Sequence, residues 1–274
     1  MAKAKGGSKS KAKPKNGRQY NVRPDTLDFR DVMYEATLVE VPTQRDLATY
    51  RKVGVPILDQ KNDGACTGFG LATVAHYLLR KRQTVPNELP VSPRLFYQMA
   101  KRYDEWAGDD YEGSSARGAM KGWQKHGVCG DTLWRYQPKQ TGGGLTEARA
   151  RDAASRPLGA YYRVTHKDIV AMHAAITEVG VLYATATVHA GWDSTREDGI
   201  IHLSNKILGG HAFAIVAYDE RGFWIQNSWG DKWGKQGFGL ITYADWLTNG
   251  TDVWVLRTCT GSAHSPALEE LPRR

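Results

Sequence analysis

The hydrophobic pattern changes its period about halfway along the chain, and this change limits the fold more than any other feature. Before residue 140, apolar residues recur at helical spacing, and the pattern predicts helices over 66–82 and through "VSPRLFYQMAKRYDEW" and "SSARGAMKGWQKHG". Beyond residue 157, short runs rich in β-branched and aromatic residues are separated by Gly and Asp turns, which is typical of antiparallel strands. Helices followed by strands predict an α+β fold with two lobes.

The element boundaries follow from capping residues and from turn residues. Ser92 is a predicted N-cap with Pro93 at the first helical position, and Thr165 is the predicted N-cap of a later helix in "THKDIVAMHAAITEVG". The predicted strands are "LGAYYRV", "VLYATATV", "IIHL", "HAFAIVAY", "GFWIQNSW", "FGLITY" and "DVWVLRT".

The formal net charge of +8 belongs to one end of the chain. Residues 1–24 hold eight of the 37 basic residues and no acid, so the other 29 basic residues balance the 29 acids. This Lys-, Gly-, Ser- and Pro-rich stretch predicts a disordered basic tail. A weak contact with nucleic acid or an acidic surface is one interpretation of the tail, and a solubilising role is the other.

Composition also excludes several classes of protein. No apolar run approaches the roughly 20 residues that span a bilayer. Three cysteines, Cys66, Cys129 and Cys259, cannot build a disulfide framework, and no secretory signal precedes them, so we expect a cytoplasmic protein, with non-classical export left open. No metal-binding spacing of Cys or His is present, and we expect neither a metal nor another cofactor.

Cys66 lies in "DQKNDGACTGFG", directly after Gly64-Ala65 and before the first long apolar run. A thiolate at a helix N-terminus is stabilised by free N–H groups and by the helix dipole. The Cys66 N–H and the amide of Gln60 could then converge on one oxygen as an oxyanion hole. A buried, inert thiol explains Cys66 alone equally well.

A nucleophilic cysteine needs a base, and the base needs a group that orients it. "GGHAFAIVAYDE" places His211 at the mouth of a buried strand, and "WIQNSWGDKWGKQGFG" places Asn227 at the end of the next strand. Adjacent antiparallel strands would bring the two side chains together, so that Asn227 accepts the far imidazole N–H. Trp229 would shield this hydrogen bond from water.

These segments resemble the papain-like cysteine peptidases, and in particular their bacterial members. The resemblance covers about residues 54–258 and includes "ILDQKNDGACTGF", "EGSSARGAMKGWQKHGVC", "GGHAFAIVAYDE" and "NSWGDKWGKQGFG". It implies a two-lobe fold, with a helical lobe, an antiparallel β-barrel-like lobe and the active-site cleft between them.

The resemblance also implies roles for individual residues. Cys66 matches the nucleophile, His211 the general base and acid, and Asn227 the residue that orients the imidazole. Gln60 matches the oxyanion donor and Trp229 the shielding indole. For substrate binding, the resemblance suggests the backbone of Gly113 and Ser114, and the small side chain of Ala212 beside His211 suggests unfilled space.

The chain departs from the family pattern at several points. Asp63 stands where papain and cathepsins have their first cysteine, and Thr67 replaces an aromatic residue. His211 lies 145 residues after Cys66 (211 − 66), but Asn227 lies 161 after it (227 − 66). The family signature places both about 130 to 150 residues downstream of the cysteine, so loop lengths differ and pocket details cannot be transferred.

The expected domain organisation has five parts. A basic tail (1–24) and an N-terminal extension that could block the cleft (25–53) precede a helical lobe (54–140), a β-rich lobe (141–262) and a C-terminal tail (263–274). Residues 1–50 could hold the enzyme latent as an intramolecular inhibitor.

The expected function is a cysteine peptidase that acts on protein or peptide substrates through a thiol acyl-enzyme, as an endopeptidase with an extended cleft. A transpeptidase or amidase that uses the same site is the alternative. A non-catalytic binding protein on the same fold is a weaker one.

Overall fold

The computed structural model describes residues 17–37, 40–82, 86–105, 113–138 and 143–258. Residues 1–16 of the predicted basic tail, the predicted C-terminal tail and Cys259 lie outside these ranges.

The first lobe is built from helices, as the sequence predicts. It contains α1 (Leu47–Arg51), α2 (Cys66–Arg80), α3 (Pro93–Arg102) and α4 (Ala116–His126). Ser92 caps α3 by accepting a hydrogen bond from the Leu95 N–H, and Ser115 caps α4 by accepting one from the Gly118 N–H. In α2, every residue except Arg80 is buried, so this helix forms the centre of the lobe.

The second lobe is a six-stranded sheet with short helices on it. Its strands are β1 (Leu158–Val164), β2 (Leu182–His189), β3 (Ile207–Asp219), β4 (Gly222–Gln226), β5 (Phe238–Thr242) and β6 (Gly250–Thr258). Its helices are α6 (Ile169–Val179), α7 (Ala190–Asp193) and α8 (Tyr243–Asn249). Helix α5 (Glu147–Ala153) packs instead beside the end of α4, where Asp152 accepts a hydrogen bond from the Gly130 N–H. The strand order is β1-β6-β2-β3-β4-β5, and every neighbouring pair is antiparallel.

The sheet remains open, which differs from the barrel-like closure expected for this lobe. A barrel needs hydrogen bonds between its first and last strands, here β1 and β5. Other segments bond to these two edges instead, because Met33 forms a bridge with Arg163 on β1 and Ile200 forms one with Leu240 on β5. The α+β class with two lobes is confirmed, and only the closure is wrong.

Alternate residues of β3 belong to the two main apolar clusters. Ala212, Ala214 and Val216 pack in the cluster that contains α2, α3 and α4. Phe213 and Ile215 pack in the other, with residues of α6. Since successive side chains of a strand point to opposite faces, β3 is the wall between the two lobes' cores.

Two local predictions in the second lobe are wrong. Asp168, and not Thr165, caps α6, because residues 165–168 form a turn in which the Asp168 N–H donates to the Thr165 carbonyl. The run "IIHL" is not a strand. Burial of Ile201 in a core cluster accounts for its apolar side chain without a strand. Only Ile200, the first residue of the run, forms a bridge.

Residues 17–24 lie against the body of the protein, although we assigned them to a disordered tail. Tyr20 is 5% exposed and Val22 7% exposed. The Gly210 N–H donates to the Tyr20 carbonyl, and the Val22 N–H donates to the Gly210 carbonyl, both at 3.2 Å. Two buried apolar side chains therefore anchor a stretch whose average composition suggests disorder. We call residues 17–37 the N-terminal segment.

The described helices include none that is long and apolar enough to cross a membrane. Within the same residues, no group of three or more His, Cys, Asp or Glu side chains is arranged to hold a metal ion.

Candidate active site

Cys66 is the first residue of α2, at the boundary between the lobes. Two glycines bring this end of the helix close to its neighbours. A Cβ on Gly68 would lie 2.6 Å from the Pro93 carbonyl oxygen, and one on Gly70 would lie 3.0 Å from the Phe213 nitrogen on β3. Because α2 is wedged between α3 and β3, the position of Cys66 is fixed by backbone packing.

His211 and Asn227 form the hydrogen bond that the sequence predicts. His211 lies on β3, Asn227 directly follows β4, and the distance from Nε2 to Oδ1 is 2.8 Å. The Ser228 N–H also donates to this oxygen, at 2.8 Å, so Oδ1 is the acceptor and the imidazole proton is on Nε2. Nδ1 then has a free lone pair, and no described residue bonds to it.

Ser228 connects this pair to Gln60. Its hydroxyl donates to Gln60 Oε1 at 2.7 Å, and its carbonyl accepts the Gln60 N–H at 2.9 Å. The Gln60 amide nitrogen donates to the Asp63 carbonyl at 2.9 Å. The orientation of the Gln60 amide is therefore fixed by the same residue that helps to fix Asn227.

The Cys66 thiol receives hydrogen bonds from several directions. The Gln60 side chain and the backbone N–H groups of Ala212, Thr67 and Cys66 itself all lower its pKa. Burial has the larger opposite effect, and the net result raises the pKa of Cys66 to about 11. The Ala212 contact places the sulfur beside the peptide bond that links His211 to Ala212.

An aromatic group covers the His211–Asn227 pair. The ring of Trp229 lies 4.8 Å from that of His211, centroid to centroid. Tyr20 of the N-terminal segment packs edge-on against both rings, at 5.7 Å from Trp229 and 6.3 Å from His211. The Arg18 guanidinium lies 4.5 Å from the centre of the Trp229 ring. Trp229 is thus where the sequence predicts it, and the N-terminal segment adds a second layer.

This cover changes the proton equilibrium of His211. Burial lowers its pKa to about 4; the Asn227 hydrogen bond opposes that shift, and the nearby Arg18 charge adds to it. Because burial raises the pKa of Cys66 and lowers that of His211, the covered site favours the neutral thiol and the neutral imidazole. A cysteine–histidine ion pair requires the opposite shifts.

The three residues suggested for substrate binding are all buried. The Ser114 hydroxyl lies 2.6 Å from the Thr67 hydroxyl, behind the first turn of α2, and Gly113 precedes it. Ala212 packs in the α2 cluster, and its backbone closely approaches Gly70, so its small size serves helix–strand packing. A substrate-binding role for Ala212, Gly113 and Ser114 stays a prediction.

The sequence reading missed Ser228 and Tyr20. Ser228 lies between Asn227 and Trp229, which the sequence motif does identify, and this position was the available signal. Tyr20 is the only aromatic residue among the first 24, and this isolated apolar residue was the sign that the basic stretch has an anchored end.

Comparisons with known proteins agree with this geometry. A sequence profile described as "Papain family cysteine protease" matches residues 41–250. The crystal structure of xylellain, a cysteine protease from Xylella fastidiosa, aligns with a TM-score of 0.77 and 25% identity, and covers 91% of this chain and 98% of xylellain.

Two sequence relatives are more partial. An uncharacterized peptidase C1-like protein of Acanthamoeba polyphaga mimivirus is 25% identical over 221 residues, which is 74% of this chain and 70% of that protein. A gut-specific cysteine proteinase of Caenorhabditis elegans is 27% identical over 142 residues, which is 50% of this chain and 42% of the nematode protein.

Proposed function

The chain belongs to the papain family of cysteine proteases, and from that premise we propose that it hydrolyses peptide bonds within polypeptides through a Cys66 acyl-enzyme. The observation that carries the proposal is the 2.8 Å bond between His211 Nε2 and Asn227 Oδ1, which leaves Nδ1 as the basic nitrogen. The Cys66 thiol contacts the backbone N–H of Ala212, the residue after His211, and this contact completes the site.

The reaction has two displacement steps. Nδ1 of His211 takes the thiol proton, and the thiolate attacks the carbonyl carbon of the scissile bond to form a tetrahedral intermediate. The intermediate collapses as His211 returns the proton to the leaving amine, which gives a thioester at Cys66. Water, deprotonated by His211, attacks the thioester, and the acid product leaves as the thiol is restored.

Two donors support the negative charge on the intermediate. The Cys66 N–H is at the uncapped start of α2, where the helix dipole favours an anion. The Gln60 amide, held by Ser228 and Asp63, is the second donor. Since these donors are fixed before substrate binds, no reorganisation is needed when the charge develops.

The N-terminal segment acts as a built-in inhibitor in this proposal. Two contacts support it: Tyr20 packs on His211 and Trp229, and both backbone groups of Gly210 are bonded to the segment. Burial of the site also shifts the pKa values of Cys66 and His211 toward their neutral forms. A cleft can accept many peptide sequences when the peptide backbone pairs with an exposed strand, which is called strand addition. Pairing of the segment with Gly210 is of this kind. The segment and an extended substrate therefore compete for one edge.

The test uses two full-length chains. Tyr20→Ala removes the aromatic anchor and a hydroxyl that bonds Asp193, and we call this variant the released chain. We expect the released chain to hydrolyse peptides faster than the wild type and to label at Cys66 with an epoxide-type thiol reagent. Cys66→Ser in the released chain should abolish hydrolysis, while Cys129→Ser, which alters the other described thiol, should not.

The outcomes separate the candidate functions. Hydrolysis that persists in Cys66→Ser would contradict the proposed nucleophile. Ligated products in place of hydrolysed ones would favour a transpeptidase. Thiol labelling without turnover of any amide would favour a binding protein. Equal turnover and equal labelling of the wild type and the released chain would rule out inhibition by the segment.

A further inference from the structure

One acidic side chain of the N-terminal segment is inserted into a pocket of the body. Asp25 is buried, and its Oδ1 accepts the Arg117 N–H at 3.0 Å in the first turn of α4. Its Oδ2 accepts the indole N–H of Trp254 on β6 at 3.0 Å. The Asp25 N–H donates to Asp252 Oδ2 at 3.1 Å. Residues outside the segment thus bind both carboxyl oxygens and the adjacent backbone N–H.

Part of the pocket wall is held by contacts that do not involve the segment. Arg163 donates to Asp252 Oδ1 at 2.7 Å, and the Thr185 hydroxyl donates to Asp252 Oδ2 at 2.7 Å. The Arg117 guanidinium is paired with Glu105. That part of the wall is therefore assembled by the body of the protein, and the segment contributes the side chain that fills the pocket.

A peptide that pairs with Gly210 as the segment does would reach this pocket. The segment pairs with Gly210 at Asn21, next to His211, and reaches the pocket four residues later. An extended chain covers about 3.3 Å per residue, so the pocket is about 13 Å along the peptide from that pairing. A peptide bound at the same edge would place one of its side chains at this pocket.

We propose that this pocket selects an aspartate side chain of the peptide substrate, and that Asp25 occupies it as an internal mimic. The proposal rests on the proposed peptidase function, because it assigns a specificity to the same cleft. Its basis is the pair of donors, Arg117 N–H and Trp254 Nε1–H, each of which meets a different oxygen of one carboxyl group.

The donor pair distinguishes aspartate from asparagine. An asparagine of the same size offers one oxygen and one NH₂ group, and an amide nitrogen does not accept hydrogen bonds. One buried donor would then face another, which is unfavourable. The distinction holds in either protonation state, because a carboxyl hydroxyl oxygen still accepts a bond. Burial and the nearby Asp252 raise the pKa of Asp25 well above its ordinary value.

The charges around the pocket support the same preference once the segment has left. Arg117 Nε and Nη2 donate to Asp31 of the segment, and Arg163 Nη1 does so as well. Removal of the segment takes Asp31 and the Thr26 carbonyl away from these donors, and it takes the Thr26 N–H and hydroxyl away from Glu105. The donors released in the emptied pocket suit a guest that brings acceptor oxygens.

The first experiment uses the full chain and does not require catalysis. The rate of Cys66 alkylation by iodoacetamide, read by peptide mass mapping, reports how often the segment leaves. We expect Asp25→Asn to raise this rate as much as Asp25→Ala does, by about tenfold, since one buried donor is left facing another. Asp28→Asn is the matched control, because the Asp28 carboxylate bonds Arg30 within the segment and should leave the rate unchanged. Wild-type protection in Asp25→Asn would overturn the proposal.

The second experiment profiles hydrolysis by the full-length Asp25→Ala chain on peptide pairs that differ only by Asp or Asn at one position. We expect one position at which Asp raises kcat/KM by about tenfold, and we expect Trp254→Phe to reduce that preference. Hydrolysis without an Asp preference at any position overturns the pocket proposal and leaves the peptidase function intact. If no peptide is cleaved, the peptidase function fails, and the alkylation series still decides whether the pocket selects aspartate.

Discussion

Two buried histidines of the second lobe, His211 and His189, both have a hydrogen-bonded Nε2, but they differ at Nδ1. His211 Nε2 lies 2.8 Å from Asn227 Oδ1, and His189 Nε2 lies 2.8 Å from Asp245 Oδ2. The Gly191 N–H donates to Nδ1 of His189 at 3.2 Å, whereas no described residue bonds to Nδ1 of His211. A carboxylate partner would suggest the more reactive site at His189, yet both of its nitrogens are occupied.

Burial and the partner of Nε2 do not distinguish these two histidines, whereas the occupancy of Nδ1 does. The two regions also differ in what covers them. His189 is enclosed by α7 and α8, which are permanent parts of the lobe, while His211 is covered partly by Tyr20 of the N-terminal segment. The predictions below use the released chain, Tyr20→Ala, to measure activity.

The largest expected effect is on activity at His211. His211→Ala in the released chain should lower kcat/KM about a thousandfold, because the proton acceptor and donor of both steps is lost. The midpoint of thermal unfolding should change little in comparison with His189→Ala. Retention of more than a tenth of the activity would show that another group supplies the proton transfer.

The opposite result is expected at His189. His189→Ala removes one partner of a buried pair and leaves the Asp245 carboxylate without it, which should lower the free energy of unfolding by about 3 kcal/mol. Urea unfolding measures this loss, and active-site titration corrects kcat for the folded fraction. A normal unfolding free energy with greatly reduced kcat would reverse the roles of the two histidines.

A smaller effect is expected at Gln60, which is linked to His211 through Ser228 and Asn227. Gln60→Ala in the released chain should lower kcat about a hundredfold, as removal of one oxyanion donor does. Ser228→Ala should have a weaker effect in the same direction, because Gln60 keeps its bond to the Asp63 carbonyl. Unchanged kcat in Gln60→Ala, with normal thiol labelling, would exclude it as a donor.

The smallest expected effect is a pH dependence of inhibition by the N-terminal segment. Burial and Asp252 raise the pKa of Asp25 from its ordinary 3.8 to about 7 when the segment is docked. Docking is therefore fully favoured below the undocked pKa and weakens as the pH rises through about 7. The ratio of wild-type to released-chain kcat/KM should rise about tenfold between pH 5 and 8.

Other charged groups adjoin Asp25 and must be separated from it. Arg117 of α4 and Asp252 of β6 face it, and Arg163 of β1 pairs with Asp252. Burial lowers the pKa of the nearby His166, and the Asp252 charge opposes that shift. Asp25→Asn removes the titration of Asp25 together with one of its two acceptor oxygens, so the slope of the ratio with pH is compared and not its absolute value. A ratio that still rises in that variant would assign the pH dependence to its neighbours.

The positions of the candidate site residues could be predicted from the sequence because each lies where local rules apply. His211 is on one strand and Asn227 follows the next, so their adjacency requires only antiparallel pairing. The approach of Cys66 also requires α2 to pack against β3. The helices were predictable for the same reason, since Ser92 and Ser115 cap them through bonds within three residues.

The remaining features depend on contacts between distant parts of the chain. Tyr20 is anchored by residues about 190 to 210 positions later, and no local pattern reports that. The open sheet depends on whether Met33 and Ile200 reach its edges, which strand patterns do not encode. The position of Asp25 between α4 and β6 likewise requires the assembled lobes.

Gly210 has a consequence for the kinetics of the whole chain. A Cβ at this position would lie 2.1 Å from the Val22 oxygen, so the strand edge is bare backbone, and both of its polar groups are already bonded to the segment. A peptide that pairs there must displace a competitor that is covalently tethered. Diluting the protein does not dilute a tethered competitor, whose effective concentration is set by its linkage. Three variables can shift this competition: the substrate concentration, a cut in the segment, and a ligand that captures the segment.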